Sequence, residues 1–388
     1  MSKTYKINFI NASYRRFYAK HKKELIRALD RCLSKGDLIL REEVGRLERR
    51  IAKYVGAKYA VGTNSGTDAL YLSLKALEVG RGDEVITVGN AFIAPIQAIV
   101  HTGAKPILVD VRQDGLMDVF SLVRAIGPKT KVVIPIHLSG KMCDLGQLYA
   151  VVKVAEKKYR HKIHIVEDAC QALGAQQNRV KAGSFGTTGC FSFNTPKLLG
   201  AYGDGGMVVT SDKKIFEKLL LLRNHWNIYQ GSVRKEDFPQ PKKMGWGFKS
   251  RLDNIQAAIL NVKLDHYADA LLKRLAIAVL YNSGLKDNPN FLLPVQYEGQ
   301  VYQEYILRFL TEKQRVAFQK HMQKHGIELL VRDVTPNHKL KGYERELGHF
   351  KLPVTEAVAK TTARLPIYPE LTLKEVKEII KVANAFKT

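Results

Sequence analysis

An α/β fold with a mostly parallel, mixed sheet between helices is predicted by two patterns in the chain. Short apolar runs of strand length alternate with amphipathic runs of helical period between residues 59 and 210. The residues that stand out chemically follow a strand-like run or open the next helix-like run, where open α/β sheets gather their functional loops. Beyond residue 272 the pattern changes, and a smaller α+β unit is expected there.

Taken in order, Lys22 to Leu33 carries Leu25, Ile26, Leu29 and Leu33 at helical spacing. Glu43 to Val55 repeats it with Val44, Leu47, Ile51 and Val55. Tyr59 to Val61 reads as a strand, and Asp68 to Leu77 as a helix with Leu70, Leu74 and Leu77 on one face. Strands are then predicted over Glu84–Val88, Pro106–Val109, Lys131–His137, Ile163–Glu167, Cys190–Phe193 and Met207–Thr210. Helices fall between them at Ala94–His101, Val119–Ile126 and Leu145–Lys157. One long helix is predicted from Leu252 to Leu272. Tyr302–Leu310 then reads as a strand, Glu312–Lys324 as a helix and Leu373–Phe386 as a closing helix. Phe238 to Lys243, with two prolines and two lysines, reads as an exposed loop. These readings divide the chain into an N-terminal arm and helix (1–35), a large domain (36–265) and a small C-terminal domain (266–388).

The chain's 388 residues allow a large core and two domains. No apolar run approaches the ~20 residues of a spanning helix, and the first residues lack the apolar stretch of a signal peptide. Cys32, Cys143, Cys170 and Cys190 show no paired spacing. Reduced thiols in a cytoplasmic protein and no metal site are therefore expected. The formal net charge is +25. Its basic residues are scattered over helix faces, as in Lys153, Lys157, Lys158, Arg160 and Lys162, and no nucleic-acid-binding motif accompanies them. A basic surface bias explains the charge best, and attraction of an anionic substrate is a second contribution.

The chemistry centres on Ser192-Phe193-Asn194-Thr195-Pro196-Lys197 and the glycine-rich turn Gly203-Asp204-Gly205-Gly206. Lys197 sits between two strands with Phe191, Phe193 and Pro196 beside it, so its stem leaves from apolar surroundings. In a partly dry cleft its ammonium is disfavoured and the free amine attacks carbonyls. Asp168, ending an apolar strand, either caps a helix or serves as a fixed charge facing a protonated pyridine nitrogen. Gln171 lies three residues on, within reach of a ring oxygen. Gly66 and Thr67 open a helix after a strand, where backbone amides favour a phosphate. Ser192 offers a second hydroxyl, and Phe92 a ring that either packs in the core or stacks on a flat cofactor. A phosphate cradle, stacking ring, carboxylate and lysine together match the needs of pyridoxal 5'-phosphate (PLP).

The chain resembles the DegT/DnrJ/EryC1/StrS family of PLP-dependent sugar aminotransferases over nearly its whole length. Gly62 to Leu70 resembles the phosphate segment, Glu167 to Ala172 the ring-nitrogen segment, and Ser192 to Gly206 the lysine segment. Gly82 to Thr87, Phe92 to Ala94, Pro135 to Gly140, Ser250 to Ala258 and Leu365 to Pro369 follow the family's order. The resemblance implies the type I aminotransferase fold and a homodimer with active sites at the interface. It implies Lys197 as the lysine that bonds to PLP, Asp168 at the ring nitrogen, Gln171 at the ring oxygen and Phe92 as stacking ring. It places Gly66, Thr67 and Ser192 at the phosphate. It also implies glutamate as amino donor and a nucleotide-linked keto-sugar as acceptor, with the cofactor cycling through its pyridoxamine form (PMP). Lys249 stands where many members carry an asparagine that reaches the neighbouring subunit's phosphate. Asn194 replaces a common histidine or tyrosine, and Trp226 a common glycine; with His338, these are candidate substrate contacts. Three other readings remain: a cyclitol or small-ketone aminotransferase; a PMP-dependent sugar dehydratase, which carries histidine where this chain has Lys197; and a nucleic-acid-binding regulator without turnover.

Overall fold

The alternating pattern builds a seven-stranded sheet with helices on both faces. The computed structural model describes residues 5–227, 244–332, 334–343 and 347–387, so the predicted loop Phe238–Lys243 lies outside the described residues. In chain order the large sheet's strands are β1 (Tyr59–Thr63), β2 (Glu84–Val88), β3 (Lys105–Val109), β4 (Thr130–Val133), β5 (His164–Asp168), β8 (Thr188–Ser192) and β9 (Gly206–Thr210). A two-residue hairpin, β6 (Gln176–Gln177) and β7 (Val180–Lys181), stands apart. The spatial order is β1-β9-β8-β5-β4-β2-β3. The pairs from β8 to β3 are parallel, whereas β9 runs antiparallel to both β1 and β8.

Period-two alternation sorts the strand side chains between two cores. Val208, Cys190, Val166 and Val61 face helices α3 (Gly66–Ala76), α4 (Ala94–Thr102) and α7 (Lys213–Leu222). Met207, Val209, Phe191 and Ile165 face α2 (Glu42–Val55), α6 (Leu145–Tyr159) and α8 (Asn254–Asp265). The short helix α5 (Val119–Ala125) adds Leu122 to that second core. Because both faces are covered, the strands read as continuous apolar runs, as in other buried parallel sheets.

Several boundaries differ from the sequence reading, and the strand predicted over Tyr302–Leu310 is confined to Tyr305–Arg308. The first helix, α1, spans Asn11–Ser34 and is longer than predicted, with non-helical dihedrals at His21. In its basic first half Ala12 and Phe17 pack on neighbouring cores, and Arg16 reaches Glu375 and the Glu370 carbonyl near the C-terminus. The predicted helix Leu252–Leu272 is two helices, α8 and α9 (Tyr267–Leu285), broken at His266. There Glu24 of α1 accepts from His266 Nε2 at 2.8 Å and bonds His21 Nδ1 at 3.0 Å, so a tertiary contact holds the break. The strand predicted to reach His137 ends at Val133, and Pro135 has no N–H to continue the ladder.

A separate core forms around Tyr281, Tyr305, Phe318, Leu365 and Ile379. It joins α9, the antiparallel pair β10 (Tyr305–Arg308) and β11 (Thr362–Leu365), and α10 (Glu312–Lys324). The helices Pro353–Thr361 and Leu373–Asn384 complete it, the latter opened by a capping box of Thr372 and Glu375. We propose the break at His266 as the boundary between the large and small domains. Among the described residues no helix is long and apolar enough to cross a membrane.

The Arg16–Glu375 contact, at 2.6 and 2.8 Å, ties the first helix to the last. The Arg16 hydrogen bonds hold the Glu375 carboxyl down at about 2, from an ordinary 4.5. Because the folded value is depressed, the contribution is present above the unfolded value and is lost as pH falls from 4.5 through 2. Substituting Glu375→Gln is expected to flatten the fall of urea-unfolding stability across that window relative to the parent.

Candidate active site

The lysine loop is built by backbone bonds at the carboxyl end of β8. Phe193 N–H donates to the Gly205 carbonyl at 2.7 Å, and Ala201 N–H to the Phe193 carbonyl at 2.8 Å. Thr195 bonds Gly203 through its N–H and hydroxyl at 3.1 and 3.0 Å. Gly200 is required here, since a Cβ would lie 2.1 Å from the Thr195 carbonyl oxygen. Lys197 N–H donates to the Asn194 carbonyl at 2.9 Å. From the small domain, Gln303 Nε2 donates to the Pro196 carbonyl at 2.9 Å. The loop is thus held on both sides, and burial holds the Lys197 amine below the usual lysine range despite the opposing pull of Cys170 and Asp168.

Asp168 ends β5 and is 6% exposed. Its N–H donates to the Pro135 carbonyl at 3.0 Å, and its Oδ1 accepts the Cys170 N–H at 3.1 Å. Glu167, pointing to the opposite face, accepts from the amides of Gly183, Phe185 and Gly186 and bonds His137 Nε2 at 2.9 Å. Of these adjacent acids, one anchors a loop and the other faces the cavity. Gln171 Oε1 accepts the Ser139 N–H at 2.9 Å, which leaves the amide's donor side for a ligand.

The segment between β1 and α3 forms the opposite wall. Ser65 caps α3, its Oγ accepting the Asp68 N–H at 3.1 Å, and the amides of Gly66 and Thr67 precede that cap on the open first turn. A Cβ on Gly66 would lie 2.7 Å from Ser192 Cβ and 3.0 Å from Cys170 Sγ, so only glycine lets the helix start approach β8 this closely.

These walls enclose a cavity of about 340 Å³. Eight sequence-predicted residues line it: Gly66, Thr67, Phe92, Asp168, Gln171, Ser192, Asn194 and Lys197. Phe92 is 62% exposed at its edge, and Asn194 Nδ2 donates to Asp204 Oδ1 at 2.6 Å. The residues fit PLP: a helix start open to a phosphate, a buried carboxylate for the ring nitrogen, and an amine whose pKa burial lowers.

Three predicted residues lie elsewhere. Lys249 is exposed and bridges Asn224 by its backbone. Trp226 packs against the core on the α3 face with Tyr71 and Phe248. His338 is buried, with Nε2 on Glu356 at 3.1 Å, while neighbouring Asn337 donates to the Ala91 carbonyl at 2.7 Å beside Phe92. This last pair supports a cavity loop instead of lining the cavity. Cys170, Asp204 and Arg332 also line it and were not singled out as site residues. Arg332 arrives from the small domain 135 residues after Lys197, with no local motif to mark it.

Fold and site together define a PLP-dependent transaminase. Residues 19–384 match the DegT/DnrJ/EryC1/StrS aminotransferase family, and the chain belongs to that family. It is 35% identical to a pleiotropic regulatory protein of Geobacillus stearothermophilus, across 95% of this chain and 96% of that one. It is equally 35% identical to the dTDP-3-amino-3,6-dideoxy-alpha-D-galactopyranose transaminase of Aneurinibacillus thermoaerophilus, across 96% and 98%. The crystal structure of Streptomyces venezuelae DesV with a ketimine intermediate superposes with a TM-score of 0.87 at 32% identity, covering 99% of this chain and 98% of that one. Bacillus subtilis NtdA, solved with bound PMP, has a TM-score of 0.83 at 26% identity, covering 94% and 81%.

Filling the cleft at the phosphate wall tests the cradle. Gly66→Ala is expected to weaken PLP binding to the apoprotein about five- to 140-fold, the effect of ~1–3 kcal/mol of overpacking. Fluorescence titration with the cofactor reads the change, and circular dichroism checks that the fold is kept.

Proposed function

We propose that this aminotransferase moves an amino group from glutamate to a nucleotide-linked keto-sugar. The carrying observation is Lys197, an amine kept below its ordinary pKa in a cavity shared with Asp168 and the start of α3. The relative from A. thermoaerophilus, whose printed name is a dTDP-sugar transaminase, supports the sugar class. The net charge of +25 suits an anionic, nucleotide-linked substrate.

In this reading Gly66, Thr67 and Ser192 hold the cofactor's phosphate, Phe92 stacks on its ring, and Gln171 donates to its ring oxygen. PLP supplies an electron sink that makes a proton on the amine-bearing carbon acidic. Asp168 carries the negative charge that keeps the ring nitrogen protonated. Lys197 Nζ, its pKa held below the usual lysine range by burial, takes that proton from the donor's α-carbon and returns one to the acceptor's carbon. A sugar dehydratase, with histidine in place of Lys197, lacks this strong base, and the lysine here disfavours that reading.

Glutamate is expected to convert the PLP form to the PMP form, and a nucleotide-linked keto-sugar to restore the original spectrum. Lys197→Ala is expected to lose at least about 10³-fold in turnover. Borohydride reduction followed by peptide mapping should place the cofactor label on Lys197. A label at another residue, or recovery of the spectrum only with cyclitols, would displace this reading.

We propose further that the enzyme is a homodimer in which Lys249 serves the neighbouring subunit's phosphate. Lys249 is exposed in its own chain, and the exposed Phe92 leaves one side of the cavity open. The four cysteines are free thiols, in keeping with a proposed cytoplasmic setting. Light scattering is expected to give twice the chain mass, and Lys249→Ala to lower PLP affinity; full activity in a monomer would refute the shared site.

A further inference from the structure

Where the first helix crosses the break between α8 and α9, three side chains of metal-ligating type converge. Glu24 bonds His21 Nδ1 at 3.0 Å through Oε1 and His266 Nε2 at 2.8 Å through Oε2. One ligand atom from each residue lies within 4.8 Å of the other two. Among the described residues no other group of three histidines, cysteines or acids meets that condition. We infer that His21, Glu24 and His266 bind a zinc-class divalent cation that ties α1 to the break between α8 and α9. None of the three lines the cofactor cavity, so the inference stands apart from the transaminase reading.

Three observations carry it. First, the donor set selects the ion. Two imidazole nitrogens and a carboxylate suit zinc, whereas calcium and magnesium take oxygen ligands. Two nitrogen or oxygen ligands of a tetrahedral zinc lie about 3.4 Å apart, so each hydrogen-bonded contact opens by about half an ångström to admit the ion. Each imidazole then carries its proton on the nitrogen that faces away from the metal. Second, the rings are held in place by their surroundings. His21 is buried, at the point where non-helical dihedrals interrupt α1. Phe17 stacks on its ring at 4.5 Å and meets the His266 ring edge-on at 6.2 Å, and the two imidazoles lie 4.0 Å apart. Ligands packed in this way lose little freedom when they bind. Third, access and charge fit. The Glu24 side chain is 47% exposed, so water reaches the site and supplies the fourth ligand. Two flanking cations are engaged elsewhere: Lys263 Nζ donates to the Gly200 carbonyl at 2.5 Å, and Lys273 pairs with Asp269 at 2.7 Å.

The sequence reading expects no metal because the cysteines are unpaired. This site uses none of them, and its third ligand comes 242 residues after Glu24, so no spacing along the chain announces it. A bound cation adds a second tie from α1, beside the one that Arg16 makes to Glu375.

The test uses the holoenzyme, stripped of metal by a chelator and dialysed against micromolar zinc chloride. Elemental analysis is expected to find one zinc ion per chain in the parent and none above background in His266→Gln. Glu24→Ala, at a half-exposed position, is expected to weaken zinc binding at least about ten-fold, since even an indirect partner of a metal ligand is worth that much. Zinc is expected to raise the melting temperature of the parent, and to do so far less in either variant. Magnesium is expected to leave all three unchanged. His325→Gln breaks a surface pair with His321, whose ring lies 4.6 Å away, and is expected to keep the zinc. A parent without zinc, zinc retained undiminished in His266→Gln or Glu24→Ala, zinc lost in His325→Gln, or an equal rise with magnesium overturns the proposal. The three side chains are then a hydrogen-bonded clasp only. Should His266→Gln fail to fold, Glu24→Ala decides.

Discussion

The partial burial of one amine is the constraint around which the candidate site is arranged. A lysine surrounded by water is an ammonium at neutral pH and neither attacks a carbonyl nor accepts a proton. Lys197 is drawn away from that state because its loop is partly buried at the carboxyl edge of the sheet, with Gln303 bonded to the Pro196 carbonyl.

Close backbone approach does the remaining positioning. β9 lies between β1 and β8, so the Gly66–Thr67 segment and the lysine segment meet although 130 residues separate Thr67 from Lys197. Gly206 allows this, since a Cβ there would lie 2.1 Å from the Ser65 carbonyl oxygen. Gly66 does the same on the other side against Ser192. Both glycines serve contact distance, because neither has a left-handed backbone.

The polar network is graded by burial. Glu167 and Glu304 are almost fully enclosed, and both are saturated with donors, which is the condition for a buried carboxylate to persist. Asp168, one residue from Glu167, has an amide on one oxygen and a cavity in front of it. Strand alternation turns two chemically similar acids into an anchor and a functional group.

Much of this was legible in the sequence. The strand–helix alternation, the edges of β2 and α10 and the cavity-lining cluster from Gly66 to Lys197 were readable because each is written in local periodicity or in a motif beside a strand end. What local pattern does not encode went unread. The break at His266 depends on Glu24 of a distant helix, and the antiparallel placing of β9 on strand pairing. Trp226 and His338 belong to packing and loop support in this chain, although their motifs pointed to the cleft. The sequence alone set the residue types of the candidate site and the order in which they come. Only the tertiary structure decided that Arg332, Arg364 and Glu304 stand together behind the active site. They lie on separate segments, and it is the burial of one carboxylate among several cations, not any spacing along the chain, that brings them to one place.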